Sequence, residues 1–183
     1  MTESDKQLIE LFREGGRQDA IDELLRRHIG RVRATIFQMV HSNSDADDLT
    51  QEVFVRAVRG VQTFDCRAEF STWLYRVAMN TTYSFLKRRG RSRVEFHSDM
   101  QEPVTPADSA PDRAVLQAEL TAEVETAVAS LSPNLRGAIV LVCLQGLSPS
   151  EAAEVEGCST ATIHWRVHEG RQKLKRLLRE HLS

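Results

Sequence analysis

His164 and His168 stand four residues apart near the end of the chain, a spacing at which two imidazoles share one side of a helix. Such a pair can hold a zinc ion. The zinc-peptidase pattern requires a glutamate directly after the first histidine, and Trp165 occupies that position here. Cys158 offers a third ligand only from before a predicted turn. A metal-dependent enzyme using these residues is therefore kept as an alternative, while the sequence predicts no metal, no cofactor and no catalytic group.

The segment around the two histidines is strongly basic. Residues 160–180 carry two acids against six bases, which are Arg166, Arg171, Lys173, Lys175, Arg176 and Arg179. The other side of the predicted helix carries a buried stripe formed by Ile163, Val167, Gly170, Leu174 and Leu178. Gly170 is expected to let this helix pack closely against a neighbour. A plain solvated amphipathic helix would show the same pattern.

The residues before this helix favour DNA binding over a solvated helix. Ser148 and Pro149 predict the start of a helix over 149–156, with Glu151 placed for a capping box. Gly157 marks a turn, and Ser159 or Thr160 can cap the last helix, 160–179. Two helices joined by such a turn form a helix-turn-helix. Its second helix enters the major groove, with its first residues facing base edges and its basic ones near phosphates.

Helical patterns also fill the first part of the chain. Apolar residues recur at helical spacing in 5–27, with a break at Gly15–Gly16, and a second helix is predicted over 28–41. Ser44 is predicted to cap a further helix over 45–58, because three aspartates follow it in the first turn.

Two more helices complete the prediction. A loop around residues 64–70 leads into a long helix over 71–89. Ser132–Pro133 begins another helix, which Gly146 is placed to end. Since no segment has the alternation of a strand, the predicted fold is all-α.

The net charge of −2 is unevenly distributed along the 183 residues. Residues 1–93 carry 16 Lys or Arg and 13 Asp or Glu, and residues 113–183 carry eight of each. The segment 94–112 between them carries five acids, no base and three of the five prolines. It is therefore predicted to be an extended acidic linker that joins two small helical domains, 1–93 and 113–183.

Composition points to a cytoplasmic protein. No run approaches the roughly 18 apolar residues of a membrane span, and the start MTESDKQLIE is too polar for a signal peptide. Cys66, Cys143 and Cys158 lack the spacing of a disulfide framework or a structural zinc site. We therefore expect reduced thiols and no membrane insertion.

Two stretches carry a family resemblance. DADDLTQEVFVRAV (Asp45–Val58) and EFSTWLYRVAMNTTYSFLKRRGR (Glu69–Arg91) together resemble regions 2.2 to 2.4 of bacterial sigma factors of the extracytoplasmic-function (ECF) group, in the sigma-70 family. LSPSEAAEVEGCSTATIHWRVHEGRQKLKRL (Leu147–Leu177) resembles their region 4.2. The resemblance implies a transcription initiation factor without catalysis, with a region 2 domain over 1–93 and a region 4 domain over 113–183.

The resemblance also implies partners. The helix matching 45–58 would dock on the β′ clamp helices of core RNA polymerase, with Asp48, Gln51 and Glu52 at the polar positions that make the contact; a solvated acidic face is the plain alternative. Region 4 would meet the β flap, and the linker would enter the RNA path of the polymerase or act as a simple tether. Promoter DNA and an anti-sigma factor are the other expected partners.

For the −10 element, the resemblance places a flipped base in the loop Phe64–Phe70. The matching side chains are Phe64, Asp65 and Arg67 in the loop and Arg76, Asn80, Tyr83 and Lys87 on the helix behind it. Aromatic faces suit unpaired bases, which stack on rings. Trp73 and Phe85 fit this surface and a structural core equally well.

For the −35 element, the positions that match base-facing side chains are Thr162, His164, Trp165, His168 and Glu169, with Arg166 and Arg171 on phosphates. Many relatives carry a small residue where this chain has Trp165 and a base where it has Glu169. This departure bears on which −35 sequence the helix reads, and not on whether the helix binds DNA. A stand-alone helix-turn-helix regulator is the other alternative. That interpretation does not explain the pattern of residues in 45–91.

Overall fold

The computed structural model describes residues 3–95 and 123–181, and all regular secondary structure within these ranges is helical. This confirms the predicted all-α fold. The acidic segment predicted as a linker lies almost entirely outside the described residues. No helix in the described ranges combines the length and apolar character that crossing a bilayer requires.

Four helices form an N-terminal bundle. They are α1 (Asp5–Gly15), α2 (Gln18–Val40), α3 (Asn43–Val61) and α4 (Phe70–Glu95). Gly16 ends α1 with φ +60°, as the predicted break at Gly15–Gly16 requires. α2 and α3 pack side by side, and α4 packs across both.

Two local predictions for this bundle are wrong. α2 is continuous through residue 28, because Leu24 and Val32 on either side of it are both buried and hold the helix together. The cap of α3 is Ser42, whose hydroxyl accepts a hydrogen bond from the Asp45 amide at 3.3 Å, and not Ser44. His41 before it adopts a left-handed φ of 52°, which ends α2 and starts the turn.

The remaining helices form a C-terminal bundle. They are α5 (123–129), α6 (Pro133–Ile139, continued by a π-helical turn Val140–Leu144), α7 (Pro149–Glu156) and α8 (Thr160–His181). Gly146 follows the π turn with φ +73°, which fits its predicted role in ending this helix.

α7 and α8 confirm the predicted helix-turn-helix. Ser148 and Glu151 form the capping box, and Gly157 makes the turn with φ +64°. Ser159 caps α8, since its hydroxyl accepts from the Thr162 amide at 3.1 Å. Gly170 packs against α6 so closely that a Cβ would lie 2.8 Å from Ile139 Cγ1.

The two bundles share one buried hydrophobic cluster. It contains Leu24, Ile36 and Met79 from the N-terminal bundle together with Leu141 and Ile163 from the C-terminal bundle. α4 packs directly against α7, and the π turn meets α2. The two predicted domains therefore lie against each other.

Candidate nucleic-acid interface

The first half of α8 presents an open face. Trp165 is 61% exposed, the largest exposed fraction among the large apolar side chains of the described ranges. His164 and His168 are exposed beside it. Ala161 and Gln172 extend the row at helical spacing and are also exposed. This face is therefore exposed to solvent, and its role at the −35 element stays a prediction.

The other predicted −35 residues are partly buried or bonded to neighbouring side chains. The Arg166 guanidinium donates to the Glu156 carboxylate at 2.9 Å, and only 17% of its side chain is exposed. The Thr162 hydroxyl is paired with that of Ser159 at 2.8 Å. Glu169 is half-buried, while Arg171 is exposed and donates to Cys143 Sγ at 3.4 Å.

The outer face of α3 carries the predicted polymerase contacts. Asp48 and Gln51 are exposed, and half-buried Glu52 forms an ion pair with Arg56 one turn further on at 2.5 Å. An exposed ion pair of this kind contributes little to stability, so Glu52 can exchange it for another partner. Val55 lies one turn beyond Gln51 on the same face and is 52% exposed.

The loop between α3 and α4 is built on an aromatic cluster. The Phe64 ring is 7% exposed and lies 5.9 Å from Phe70 and 5.2 Å from Trp73, centroid to centroid. Trp73 also packs on Gly60, where a Cβ would lie 2.8 Å from the indole. These rings pack on the core in this conformation, and the indole of Trp73 is half-buried. Half-buried Phe85 also packs against the core.

Polar groups shape the outer side of this loop. Asp65 and Arg67 are exposed, and Arg67 donates its amide to the Asp65 carboxylate at 3.2 Å. Arg13 of α1 donates from Nε to the Val61 carbonyl at 2.7 Å and also bonds the Phe64 carbonyl. Arg13 thus ties both ends of the turn to α1. No sequence signal links it to the loop, because 48 residues separate it from Val61.

On α4 the predicted −10 residues form one row, but they differ in exposure. Asn80 and Lys87 are exposed, and the side chain of Arg76 is 46% exposed. Arg76 is bonded to the C-terminal bundle, donating to the Glu154 carbonyl oxygen at 3.1 and 2.6 Å. Tyr83 is half-buried, and its hydroxyl donates to Glu156 Oε1 at 2.9 Å.

Glu156 is the residue at which α4, α7 and α8 meet. Its side chain is 3% exposed and accepts from both Tyr83 and Arg166. Burial raises the pKa of the Glu156 carboxyl, while its hydrogen bond from Tyr83 and the charge of Arg166 oppose that rise. Burial next to this carboxylate also raises the pKa of Tyr83, so the phenol stays protonated and acts as the donor.

The sequence prediction did not include Val55 or Glu156 among the candidate site residues. Val55 could have been found, because it follows Asp48 by seven residues and so shares its face. Glu156 carries no such signal, since its partner Tyr83 lies 73 residues earlier in the chain. The histidines of the metal hypothesis lie exposed on α8, and the described ranges hold no group of three His, Cys, Asp or Glu side chains arranged around a metal position.

Two helical bundles, the second of which ends in a helix-turn-helix with an open face, define a DNA-binding transcription protein. Residues 24–92 match the family Sigma-70 region 2 and residues 121–174 match Sigma-70, region 4. The chain therefore belongs to the sigma-70 family of RNA polymerase sigma factors. It is an initiation factor that binds RNA polymerase and directs it to promoters, and the stand-alone regulator is not favoured.

Curated relatives agree with this family. The ECF RNA polymerase sigma factor SigE of Mycolicibacterium smegmatis is 36% identical over 162 residues, which are 88% of this chain and 63% of that relative. The RNA polymerase sigma-H factor of Pseudomonas aeruginosa is 32% identical over 96% of this chain and 94% of its own length. The ECF sigma-E factor of Escherichia coli K12 is 31% identical over 93% of this chain and 92% of its own length.

Two solved complexes contain a chain with the same fold. CnrH in complex with the cytosolic domain of CnrY matches with a TM-score of 0.72 and 26% identity, over 97% of this chain and 99% of that one. The sigma factor RpoE in complex with the anti-sigma factor NepR, from Bartonella quintana, matches with a TM-score of 0.70 and 26% identity. The match covers 86% of this chain and 96% of that one.

Proposed function

We propose that the chain divides promoter recognition between its two bundles. The α3 face with Asp48, Gln51 and Glu52 binds the β′ clamp helices of core polymerase, and the C-terminal bundle binds the β flap. The loop and the row on α4 hold the unpaired −10 strand, and α8 reads the −35 duplex. Sigma factors are non-enzymatic transcription factors, and we assign no catalytic step to this chain, which would work in the cytoplasm.

The open face of α8 is the observation that carries this proposal. Trp165 is 61% exposed on the second helix of a helix-turn-helix. An exposed indole combines a large apolar surface with a polar N–H group, which suits it to an interface. Its exposed neighbours His164 and His168 offer ring nitrogens that donate to or accept from base edges. A groove of duplex DNA supplies apolar contacts for the indole and hydrogen-bonding groups for the imidazoles.

Charge supports the docking role of α3. Asp48 and Glu52 place two carboxylates one turn apart on the outer side of the bundle, and Val55 adds an exposed apolar contact. A surface of this composition suits a partner with basic side chains around an apolar centre.

The docking role is tested by reversing two charges. Asp48→Lys with Glu52→Lys should abolish capture of core polymerase and run-off transcription from a promoter library, while leaving the helical circular dichroism unchanged. The matched control is Glu10→Lys with Glu14→Lys, which also reverses two exposed carboxylates one turn apart, on α1. Capture retained by the first double variant, or lost equally by both, would contradict the assignment.

We also infer an anti-sigma partner. Two solved relatives that match most of the chain are each bound to a protein of that kind or to a cytosolic domain. The exposed α3 face and the exposed α8 face are the surfaces that such a partner would compete for. Competition between core polymerase and a co-purified inhibitor, measured with the wild type and the Asp48/Glu52 double variant, tests this inference.

A further inference from the structure

α1 precedes the segment that matches the region 2 family, because that match begins at residue 24. The helix is nonetheless fixed to the N-terminal bundle. Its Leu8 and Ile9 are both 1% exposed. At its first turn, the Asp5 carboxylate lies 2.6 Å from Nε2 of His28 on α2. α1 is therefore held by core contacts along its length and by a polar contact at its start.

Arg13, near the other end of α1, bonds the start of the loop between α3 and α4. Its Nε donates to the Val61 carbonyl at 2.7 Å, and its Nη2 bonds the carbonyls of Val61 and Phe64. Val61 is the last residue of α3, where a cation complements the negative end of the helix dipole. One guanidinium thus fixes both the point at which the chain leaves α3 and the first residue of the loop proposed for the −10 element.

The far end of this loop also depends on α1, through His28. The His28 ring packs edge-on against Phe70, with ring centroids 5.3 Å apart. Phe70 is the last residue of the loop and the first of α4. Since Asp5 of α1 bonds the same imidazole at 2.6 Å, α1 supports both ends of the loop.

The chemistry of Arg13 suits it to setting a backbone path. Both of its acceptors are main-chain carbonyls, so the contact does not depend on which side chains the loop carries. The guanidinium is planar and donates from a fixed fork, which a lysine ammonium lacks. Between the two supported ends, Cys66 adopts a left-handed φ of 56°, which a residue with a side chain adopts less readily than glycine. A loop with this path benefits from being held from outside.

We propose that Arg13 is a positioning residue for promoter opening, and that α1 holds the −10 loop in its base-binding shape. This inference rests on the role given to the loop Phe64–Phe70 under the proposed function, and it adds a helix outside the matched family segment to that role. A loop held in one shape before binding loses less conformational entropy when a base enters it. Arg13 therefore acts through the loop carbonyls.

Four variants of the full chain test the inference. Arg13→Met removes the charge and the donors but keeps a stem of similar length. Arg26→Met is the matched control, because Arg26 lies on α2, is 74% exposed and bonds Glu23 three residues before it. Ile9→Val loosens the buried side of α1 without touching the loop, and Asp65→Ala changes the loop itself.

Amide deuterium exchange of the free chain measures the support. The amides of Thr63 and Phe64 donate to the carbonyls of Gly60 and Val61 at the end of α3. Arg13→Met should speed exchange at these two amides several-fold, because the acceptor side of the turn loses its anchor. Arg26→Met should match the wild type. Unchanged exchange in Arg13→Met would overturn the proposal.

Base preference measures the consequence for DNA. Complexes of each variant with core polymerase are mixed with pre-melted promoter templates whose −10 non-template strand is randomised, and the bound templates are sequenced. Arg13→Met should lower the preference for the best base several-fold at one −10 position, with capture of core polymerase unchanged. Arg26→Met and Ile9→Val should keep the wild-type preference. An equal loss in Ile9→Val would overturn the proposal, because loosening α1 would then suffice.

The remaining outcomes separate this inference from the proposed function. If Asp65→Ala loses the base preference and Arg13→Met keeps it, the loop retains its −10 role and the role of Arg13 is overturned. If neither variant changes the preference, the −10 role of the loop fails as well. If Arg13→Met loses helical content, Arg13→Lys takes its place. Lysine keeps the cation without the fork, so an intermediate preference is expected, and the full wild-type preference would overturn the proposal.

Discussion

The rows of candidate DNA-binding residues on α8 and on α4 follow the same helical spacing, but two members of the α4 row are bonded to the other bundle. On α8, Trp165 and its neighbours face solvent. On α4, Tyr83 and Arg76 are bonded to α7, although Arg76 and Asn80 are both still exposed to solvent. The difference arises because α8 lies at the outer edge of its bundle, whereas α4 lies between the two bundles.

This comparison separates two kinds of functional surface. An open row can be read from one helix, because amphipathic spacing decides which side meets water. In the α4 row, Tyr83 and Arg76 also contact a second bundle, so these side chains contribute to the packing of the two bundles. Substitutions in the two rows should therefore have different effects on the free protein.

The largest effect is expected at Tyr83. Tyr83→Ala removes a half-buried ring and leaves Glu156 without one of its donors, which should lower the free energy of unfolding by about 3 kcal/mol. Asn80→Ala, three residues away and exposed, should change it by less than about 0.5 kcal/mol. Urea denaturation of both variants measures the difference. Equal small effects would mean that the C-terminal bundle does not cover α4 in solution.

The next effect concerns the open row. Trp165→Ala should weaken binding of the polymerase complex to promoter DNA by about 1–2 kcal/mol, since it removes an apolar contact in the groove. The stability of the free chain should hardly change, because the ring packs on little. Leu144→Ala removes a side chain that is 50% exposed in the same bundle and serves as the control. A loss of stability for Trp165→Ala with unchanged DNA affinity would contradict the prediction.

A further prediction sharpens the assignment within α8. If Glu169 accepts from a cytosine amino group, Glu169→Ala should relax specificity at one −35 position, where a mismatch costs about 1–3 kcal/mol. If Glu169 only repels phosphates, Glu169→Ala should raise the affinity for all −35 sequences alike. Arg171→Ala should weaken all sites and lower the salt slope by about one unit. Affinities for single-base −35 variants at two salt concentrations distinguish these outcomes.

A pH-dependent effect is expected at His41, between the bundles. Its Nε2 is buried without a hydrogen-bond partner, and Arg89 and Arg136 line the same cavity. Burial, aided by the charge of Arg136, lowers the pKa of His41 to about 4. The unfolded chain takes up this proton near pH 6.5, so stability should fall as the pH drops from about 6.5 to about 4.

His41→Asn tests this pH dependence. Asparagine tolerates the left-handed φ of 52° at this position and does not titrate. The loss of stability between pH 7 and pH 5, measured by urea midpoints, should be smaller in the variant. An identical loss in the two proteins would assign the pH dependence to other groups.

Some local structure was predictable because its causes are local. The capping box of Ser148 and Glu151 and the left-handed turn at Gly157 need only neighbouring residues. Where two nearby residues were equally suited to cap a helix, the sequence did not show which of them does so. Ser42 and Ser44 both precede acids, and Ser42 caps α3 because His41 turns the chain there.

The aromatic residues of the loop show a different limit of prediction from sequence, because residue type alone does not distinguish a core ring from a base-binding ring. Phe64 fits a base-binding pocket and a core equally well by type. The structure places its ring against Phe70 and Trp73, at 7% exposure. Its predicted role, like those of Asp65 and Arg67, stays a prediction until DNA binding is measured.

By itself, the sequence determined most of the helices, the helix-turn-helix and the family, because periodicity, caps and contiguous motifs act over a few residues. It also determined which polar residues share a face on α3 and α8. Only the tertiary structure decided that Glu156 of α7 meets Tyr83 of α4 and that Gly137 admits this contact. Such pairs lie more than 50 residues apart in sequence, so they depend on how the two bundles pack, which no local pattern specifies.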